Sequence, residues 1–390
     1  HDHRFHPKAG QALADRHQGG TGLSMARRAP FRLGDERVPA GERLQVEVPI
    51  GRLYTQTPLH IPVEVIHGRR SGPTLLVCGA IHGDEINGVE IARRLLRTSG
   101  LKRLRGTLLV VPIVNVFGFL HQSRYMPDRR DLNRCFPGSE KGSLAGRIAY
   151  LFRTQVLDQA THVIDLHTGA NHRFNLPQIR AELRNPVTAD MAESFAAPIV
   201  LNATLREGSL RACADAADTP VITYEAGEAL RFDEVAINTG VRGILRVMRM
   251  LEMLPSRRRG RHKPRKRAEV ASTSSWMRAE TDGIMRPIAG IGHRVQEGQR
   301  LAVVADPFGR LEAPVISSVS GIVIGMNNLP MVNEGEALYH VARFDELDEA
   351  MKTMDAFRDR YKPLQGEERM ADHPWDNDLG QDTNSDDENS

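Results

Sequence analysis

The sequence is poor in cysteine. Its three cysteines, Cys78, Cys135 and Cys213, are an odd number without C-x-x-C spacing, which argues against both a disulfide framework and a thiolate zinc site. A chain of 390 residues with so few cysteines is typical of a reducing compartment. We therefore expect a cytoplasmic protein.

Long hydrophobic runs are also lacking. The longest, residues 107–120, contains Pro112 and Asn115 and falls short of the roughly 18 to 20 apolar residues that cross a bilayer. The composition, 40% hydrophobic and 26% charged, excludes a disordered or collagen-like chain. We expect a soluble globular protein without membrane association, and its oligomeric state stays open.

The net charge of +3 hides two blocks of opposite sign. Eight of the twelve residues 256–267 are Arg or Lys, and residues 366–390 contain nine acidic residues against one Arg. Such blocks are usually solvated. The basic block has no interleaved aromatic residues that would stack on bases, so we interpret it as a linker and predict no nucleic-acid binding. A module that docks on RNA or ribosomes is the alternative from a different functional class.

Buried strands and amphipathic helices alternate in the middle of the chain. Continuous apolar segments at 74–80, 107–114 and 161–166 predict strands that are buried on both faces. Residues 87–97, 144–157 and 232–254 have helical spacing. Shorter strands are predicted at residues 43–49, 61–67, 198–201 and 220–224. This alternation favours an α/β sheet flanked by helices, with function at the carboxyl ends of the strands.

A repeat marks the C-terminal part. The pattern V-x-E-G-x-x-L begins at Val295 and again at Val332, 37 residues later, which predicts two matching β units in a small sandwich or barrel. The pattern resembles the half-barrels of biotinyl and lipoyl carriers. Those carriers need an attachment lysine, and residues 268–351 contain none. We therefore predict a structural or substrate-gating role.

These patterns divide the chain into five predicted segments. They are a leader at 1–42, disordered at least to residue 24; a large α/β domain at 43–255; a basic linker at 256–275; a smaller all-β domain at 276–345; and a helix followed by a disordered acidic tail at 346–390.

Residues that can bind a metal follow two of the buried strands. His82 and Glu85 come after the first strand, and His167 ends the third. An isolated H-x-x-E pair is more often solvated, but two histidines and a glutamate at strand ends form a catalytic zinc set with one open position. We predict one Zn²⁺ per chain, although cobalt, manganese or nickel fit the same ligands. Asp165 either orients His167 or is a buried polar residue satisfied locally, and Asp84 is equally ambiguous.

Two further segments carry polar residues that favour catalysis. Arg124, Arg129, Arg130 and Arg134 lie within eleven residues of one loop, which is either solvated or a clamp for a substrate carboxylate, with Asn133 as an amide donor. At the end of another strand, Glu225 or Glu228 could take a proton from water beside the metal. The pattern alone does not choose between these two glutamates.

Taken together, the motifs H-G-D-E, D-L-N-R, D-L-H-T-G and E-x-G resemble the succinylglutamate desuccinylase and aspartoacylase family, a branch of the zinc carboxypeptidase superfamily. The resemblance covers residues 46–254. It implies a zinc-carboxypeptidase-like α/β fold with a mixed, largely parallel sheet, so that residues 43–255 would be a zinc hydrolase catalytic domain.

The resemblance also implies roles for individual residues. His82, Glu85 and His167 match the zinc ligands, and Glu225 matches the catalytic glutamate, in preference to Glu228. Asn133 and Arg134 match contacts to the substrate carboxylate. Arg124 resembles the arginine that polarises the scissile carbonyl, although its spacing to D-L-N-R is one residue longer than in aspartoacylases.

These residues predict a zinc-dependent hydrolase that cleaves the amide bond of an N-acylated acidic amino acid. The segment after D-L-H-T-G, which includes His172, Arg173 and Arg180, does not match the aspartoacylase pocket. It is closer to bacterial homologues associated with ribosomal-protein glutamate ligases. A carboxypeptidase that trims glutamate-rich peptide tails is therefore the alternative enzyme.

Overall fold

The computed structural model describes residues 28–256 and 269–361. Outside these residues lie the predicted leader up to residue 24, nearly all of the basic block and the acidic tail. The RNA-docking alternative depends on the basic block and therefore also lies outside the described residues. In the described part of the chain, no helix is both long and apolar enough to cross a membrane.

Regular structure begins before the predicted start at residue 43. A two-stranded hairpin, β1 (Phe31–Leu33) and β2 (Glu36–Val38), precedes the main sheet. Leu33 and Val38 are each at most 1% exposed and join the hydrophobic core beside the strands that follow. The assignment of this segment to a leader was therefore wrong, because two apolar side chains tie it to the core although its sequence shows no clear periodicity.

The central sheet contains the strands that the apolar segments predict. Its order is β3, β4, β6, β5, β7, β10, β8, with parallel pairs among β6, β5, β7 and β10 and antiparallel pairs at both sides. The predicted mixed, largely parallel sheet is confirmed. These strands and their neighbour β9 are β3 (Glu42–Arg52), β4 (Pro58–His67), β5 (Arg70–Gly79), β6 (Arg105–Val111), β7 (His162–Gly169), β8 (Arg173–Ala181), β9 (Ile199–Asn202) and β10 (Val221–Glu228).

Helices cover both faces of this sheet. Along β5, Leu75 and Val77 face one hydrophobic core and Leu76 and Cys78 face the other, because side chains alternate along a strand. The first core packs against α1, α4 and α6, and the second packs against α3 and α5. Among the described residues the α-helices are α1 (Asn87–Leu96), α2 (Val116–Leu120), α3 (Leu144–Gln155), α4 (Pro186–Phe195), α5 (Leu210–Ala216), α6 (Glu234–Met250) and α7 (Leu347–Tyr361).

The C-terminal region is all-β, as the repeat predicts. Each repeat unit folds into three strands, β13–β15 and β17–β19, and each unit turns at a glycine of positive φ, Gly298 (+81°) or Gly335 (+79°). The units exchange their middle strands, since β14 pairs with β17 and β18 pairs with β13. The strands are β11 (Val270–Ala271), β12 (Thr273–Arg278), β13 (Gly283–Pro287), β14 (Arg294–Val295), β15 (Arg300–Ala305), β16 (Glu312–Ile316), β17 (Gly321–Asn327), β18 (Met331–Val332) and β19 (Ala337–Arg343).

This β region continues the central sheet. Strand β17 pairs antiparallel with β8, and β11 pairs parallel with β9. Helix α7 returns to the first part of the chain, where the Tyr361 hydroxyl lies 3.0 Å from the Thr239 hydroxyl of α6. Residues of β12 and β19 are thereby brought to the carboxyl ends of β7 and β10.

Candidate active site

The three predicted metal ligands lie together at the carboxyl ends of the parallel strands. His82 and Glu85 occupy the turn between β5 and α1, and His167 lies near the end of β7. One potential ligand atom from each residue lies within 4.8 Å of the others, and all three side chains are buried. The turn lies so close to the backbone of α2 that a Cβ at Gly83 would be 2.0 Å from the carbonyl carbon of Gly118.

Glu85 is the centre of this group. Its Oε1 lies 2.8 Å from His82 Nδ1, its Oε2 lies 2.8 Å from His167 Nδ1, and Oε2 also accepts a hydrogen bond of 3.1 Å from the backbone N–H of Thr168. Burial alone would raise the pKa of Glu85, but the two histidines hold that pKa well below its usual range. Glu85 is therefore an ionised carboxylate in contact with two imidazoles.

The outer nitrogen of each histidine faces another carboxylate. His82 Nε2 lies 3.1 Å from Asp131 Oδ1, and His167 Nε2 lies 2.8 Å from Asp165 Oδ2. Histidine ligands commonly bind a metal through one nitrogen while the other donates to a carboxylate, which fixes the ring and the tautomer. The sequence left two interpretations of Asp165 open, and this contact favours the one in which Asp165 orients the His167 ring. Asp84 is not a member of the ligand group, and its Oδ1 is buried without a hydrogen-bond partner among the described residues.

The arginine-rich loop is divided by the fold. The guanidinium of Arg124 donates to Glu85 Oε1 at 3.0 Å and to Asp131 Oδ2 at 3.1 Å. Arg134 also lines the cleft, and burial lowers its pKa. Arg129 and Arg130 are exposed and do not line the cleft, so the four arginines do not form one clamp.

Asn133 is held in place from two sides. Its backbone N–H donates to Asp131 Oδ1 at 2.9 Å, and its side-chain Oδ1 accepts a hydrogen bond of 2.8 Å from the backbone N–H of Leu210. The carbonyl oxygen of Asn133 accepts a hydrogen bond of 2.5 Å from Arg134 Nη1. Because Oδ1 is engaged, Nδ2 is the part of the Asn133 side chain that can donate to a ligand.

The two candidate glutamates have different surroundings. Glu225 lines the same cleft as the ligand group, and its Oε2 lies 2.9 Å from Asn175 Nδ2 and 3.2 Å from Arg180 Nη2. Glu228 accepts hydrogen bonds from the His172 backbone N–H (3.2 Å) and from Asn328 Nδ2 (2.8 Å). Glu225 is thus positioned toward the cleft, whereas Glu228 joins the first part of the chain to the C-terminal β region.

The cleft has a volume of about 850 Å³ and contains residues that the sequence did not reveal. Asn175 and Arg180 lie on β8, which was not predicted, and Arg211 lies on the unpredicted helix α5. The C-terminal strands add Trp276 and His340, whose rings stack at 4.5 Å. The only signal for the β8 pair was that this segment departs from the aspartoacylase pattern.

Residues 71–251 match the family model of the succinylglutamate desuccinylase/aspartoacylase catalytic domain. A curated relative, an N-alpha-acetyl-L-2,4-diaminobutyric acid deacetylase of Halomonas elongata, is 24% identical over 296 residues, which cover 73% of this chain and 86% of the relative.

Solved structures have the same fold. A succinylglutamate desuccinylase/aspartoacylase of Rhodobacter sphaeroides has a TM-score of 0.70 and 22% identity, covering 77% of this chain and 95% of that one. The product-bound ectoine utilization protein EutE (DoeB) of Ruegeria pomeroyi also has a TM-score of 0.70 and 22% identity, covering 81% of this chain and 100% of that one. The fold predicted for the first part of the chain is confirmed.

Proposed function

We propose that the protein is a zinc-dependent hydrolase that cleaves the amide bond of an N-acylated acidic amino acid, because residues 71–251 match the catalytic-domain model of the succinylglutamate desuccinylase/aspartoacylase family. The observation that carries this proposal is the buried group of His82, Glu85 and His167 in one cleft with Glu225.

The ligand group fits a divalent metal. Two imidazole nitrogens and one carboxylate are the donor set of many catalytic zinc sites, which leave a further position open for water or substrate. Both Nδ1 atoms face Glu85 and both Nε2 atoms face carboxylates, so the rings are already oriented for binding through Nδ1. A bound zinc ion would polarise the scissile carbonyl and make a water molecule beside it more acidic.

Glu225 is the proposed general base and acid. Its carboxylate accepts the proton of the attacking water and then delivers that proton to the nitrogen of the departing amine. Asn175 and Arg180 hold one oxygen of Glu225, Oε2, and so fix the direction of the carboxylate. This placement supports the preference for Glu225 over Glu228 that the family resemblance implied.

Arg124, Asn133 and Arg134 are proposed to bind the substrate. Arg124 is adjacent to Glu85, where a guanidinium can stabilise negative charge that develops on the carbonyl oxygen. Arg134 and the Nδ2 amide of Asn133 can hold a substrate carboxylate and so position the amide bond.

The charge of the cleft supports an acidic substrate. Four acidic side chains line the cleft, and Glu85 and Asp165 among them contact the histidines. Six arginines outnumber these acidic side chains in the lining of the cleft. A cationic substrate such as the diaminobutyric acid derivative in the relative's name would therefore meet repulsion here. Six arginines line the cleft: Arg124, Arg134, Arg173, Arg180, Arg206 and Arg211.

The alternative, a carboxypeptidase that trims glutamate-rich peptide tails, is favoured by the size of the cleft. Ligand pockets commonly have volumes of about 300 to 1,000 Å³. A cleft of about 850 Å³ lies in the upper part of this range, which supports a substrate longer than a single N-acyl amino acid.

The first test combines metal analysis with amine release from N-succinylglutamate, N-acetylaspartate and oligoglutamate. We expect about one zinc per chain and turnover of at least one of these compounds. Glu225→Gln should retain the zinc but lose at least about 100-fold in turnover, because proton transfer contributes about 10²- to 10⁴-fold.

Glu228→Gln is the matched control, because Glu228 lies on the same strand but contacts His172 and Asn328. It should retain the zinc and most of the turnover. Zinc without turnover of any compound would contradict the proposed substrate class, and absence of a stoichiometric metal would contradict the hydrolase itself.

A further inference from the structure

A second large cleft lies at the edge of the central sheet opposite to the cleft that contains Glu225. It has a volume of about 1250 Å³ and is lined by the first residues of β5 and β6, Arg70 and Arg105, and by the last turn of α6. The proposed metal ligands lie at the other ends of the parallel strands, after β5 and near the end of β7. We call the second cleft the amino-edge cleft, and none of the residues that line it also lines the catalytic cleft.

The lining of the amino-edge cleft is strongly basic. It contains eight Arg or Lys residues against two acidic residues, Glu42 and Glu252. Six of the basic side chains are exposed and form no ion pair among the described residues: Arg69, Arg70, Arg97, Lys102, Arg103 and Arg105. A helix dipole stabilises cations next to a helix C-terminus, but Arg69, Arg70 and Arg105 lie at or beside strand ends. Local structure therefore does not account for this charge, and an anionic partner would balance it.

The composition of this lining favours an acidic polypeptide as the partner. No phenylalanine, tyrosine or tryptophan is among the described residues that line the cleft, so the bases of a single-stranded nucleic acid would have no ring to stack on. Seven of the eight basic residues are arginines, and a planar guanidinium group can donate to both oxygens of one carboxylate. A chain with several Asp or Glu side chains therefore fits the cleft.

The protein itself contains a segment of this kind. Residues 366–390, called here the acidic segment, lie outside the described residues and contain nine Asp or Glu residues against one Arg. The charge of the acidic segment is opposite in sign to that of the amino-edge cleft, so the two complement each other.

The acidic segment can reach the amino-edge cleft. Helix α7 ends at Tyr361, whose hydroxyl lies 3.0 Å from the Thr239 hydroxyl of α6. Arg249, ten residues further along α6, lines the cleft and is about 15 Å from Thr239 at a rise of about 1.5 Å per residue. The chain from Tyr361 to residue 366 can extend over about 17 Å. The acidic segment therefore begins within reach of the cleft.

We infer that the acidic segment binds in the amino-edge cleft of its own chain and shields the cleft from other polyanions. Exposed ion pairs are individually weak, so a free acidic peptide would bind this cleft poorly. A short tether holds the acidic segment at an effective concentration of about millimolar, which favours it over a free partner. The inference goes beyond the proposed function and does not depend on it, because the two clefts share no residue.

Zero-length coupling with a carbodiimide tests the contact in the full chain, because this reagent joins a carboxylate to an amine only when the two groups touch. Lys102 lines the cleft, whereas Lys352 is exposed on α7 and lies closer to the acidic segment along the chain. We expect mass spectrometry to find the acidic segment coupled to Lys102 in preference to Lys352. The double variant Arg97→Glu/Arg103→Glu should reduce the Lys102 products about 10-fold or more, because each reversal replaces an attraction by a repulsion.

Binding of a labelled oligoglutamate measures the shielding. A variant in which Asn or Gln replaces the nine acidic residues of the acidic segment should bind this probe about 10-fold more tightly than the wild type, because the cleft has lost its tethered competitor. Addition of Arg97→Glu/Arg103→Glu to that variant should abolish the gain in affinity. Both arginines are exposed, so every variant should unfold near the wild-type temperature, which verifies that the fold is retained.

Products that map to Lys352, or to Lys263 or Lys266 of the basic block, in place of Lys102 would overturn the inference. Equal affinities of the wild type and the neutralised variant for oligoglutamate would do so too, as would a gain in affinity that survives reversal of Arg97 and Arg103. If the wild type binds oligouridylate through these two arginines and neutralisation of the acidic segment leaves that affinity unchanged, the cleft is a nucleic-acid surface instead.

Discussion

Asp131 and Asp165 are single carboxylates that can orient the proposed metal ligands without being ligands themselves. Each faces the outer nitrogen of a histidine, at 3.1 Å for His82 and 2.8 Å for His167. Burial would raise the pKa of Asp131, but His82 and Arg124 hold that pKa well below its usual range. Asp131 is therefore ionised and can accept a hydrogen bond from the His82 imidazole.

Asp165→Asn should weaken metal binding by about 10- to 100-fold. An amide, unlike a carboxylate, neither fixes the orientation of the His167 ring nor raises the basicity of its nitrogen. The measurement is a titration of zinc against a chelator of known affinity. Asp128→Asn is a suitable control, since Asp128 accepts a hydrogen bond from the Ala145 backbone N–H and does not contact the histidines. Equal zinc affinity in Asp165→Asn and wild type would contradict the orienting role.

His340 should make the free energy of unfolding depend on pH. Its pKa is about 3 in the folded protein and 6.5 in the reference state, because burial disfavours the charged imidazole. Between these values the unfolded chain binds a proton that the folded chain does not, so stability falls as pH decreases below about 6.5. From pH 7 to pH 5 the loss attributable to His340 is about 2 kcal/mol.

Urea unfolding at pH 7 and pH 5 measures this effect. His340→Gln should lose about 2 kcal/mol less than the wild type over this interval, whatever its stability at pH 7. The exposed His293 provides the control, because His293→Gln should keep the wild-type dependence. An unchanged dependence in His340→Gln would show that His340 is charged in the folded protein.

The sequence predicted the residues at the ends of its continuous apolar strands. His82, Glu85 and His167 meet because parallel strands bring their carboxyl ends to one edge, a consequence of sheet geometry that local sequence can indicate. Arg180 and Arg211 could not be found in this way. Their positions in the cleft depend on the antiparallel pairing of β8 with β10 and on the position of a short helix, both of which are set by tertiary contacts.

Among the elements, β8 shows most clearly where sequence reasoning failed. Its segment contains Pro177 and the polar residues Asn175 and Gln178, so it does not resemble a strand. In the structure it is paired on both sides, with β10 and with β17, and its register changes between the Glu225 and Gly227 pairs with β10. Long-range pairing has overridden weak local preference.

The turn that carries His82 and Glu85 depends on its packing against α2. A Cβ at Gly83 would lie 2.0 Å from Gly118 C and 2.2 Å from Phe119 N, and backbone atoms cannot move away as a flexible side chain can. Gly83→Ala should therefore cost about 2 kcal/mol or more of unfolding free energy and also reduce zinc affinity, because the turn must shift.

Thermal unfolding and zinc titration of the variant measure the two effects. Gly100→Ala is the control, since its Cβ would meet only Thr98 Cγ2 at 3.9 Å. If Gly83→Ala unfolds at the wild-type temperature with unchanged zinc affinity, the turn is not fixed by this contact.

At the scale of the whole molecule, the predicted division into an α/β domain and a smaller all-β domain leaves out their connection. Local patterns distinguish the two regions because the period and composition change after residue 275. They cannot show that Gly325 and Met326 of β17 pair with Asn175 and Phe174 of β8. The all-β region thus extends the same sheet and provides Trp276 and His340 to the cleft.

This continuity predicts a single cooperative unfolding transition. Separation of the two regions would break the β17–β8 pairing, expose the edge of β8, remove the Asn328–Glu228 contact of 2.8 Å and detach Tyr361 from Thr239. Neither region would then keep its contacts intact, so calorimetry should give one transition whose van't Hoff and calorimetric enthalpies agree. Asn328→Ala should shift that transition to lower temperature as a whole. Two resolved transitions, with only one shifted by Asn328→Ala, would show instead that the regions fold independently and that the C-terminal wall of the cleft can separate from Glu225.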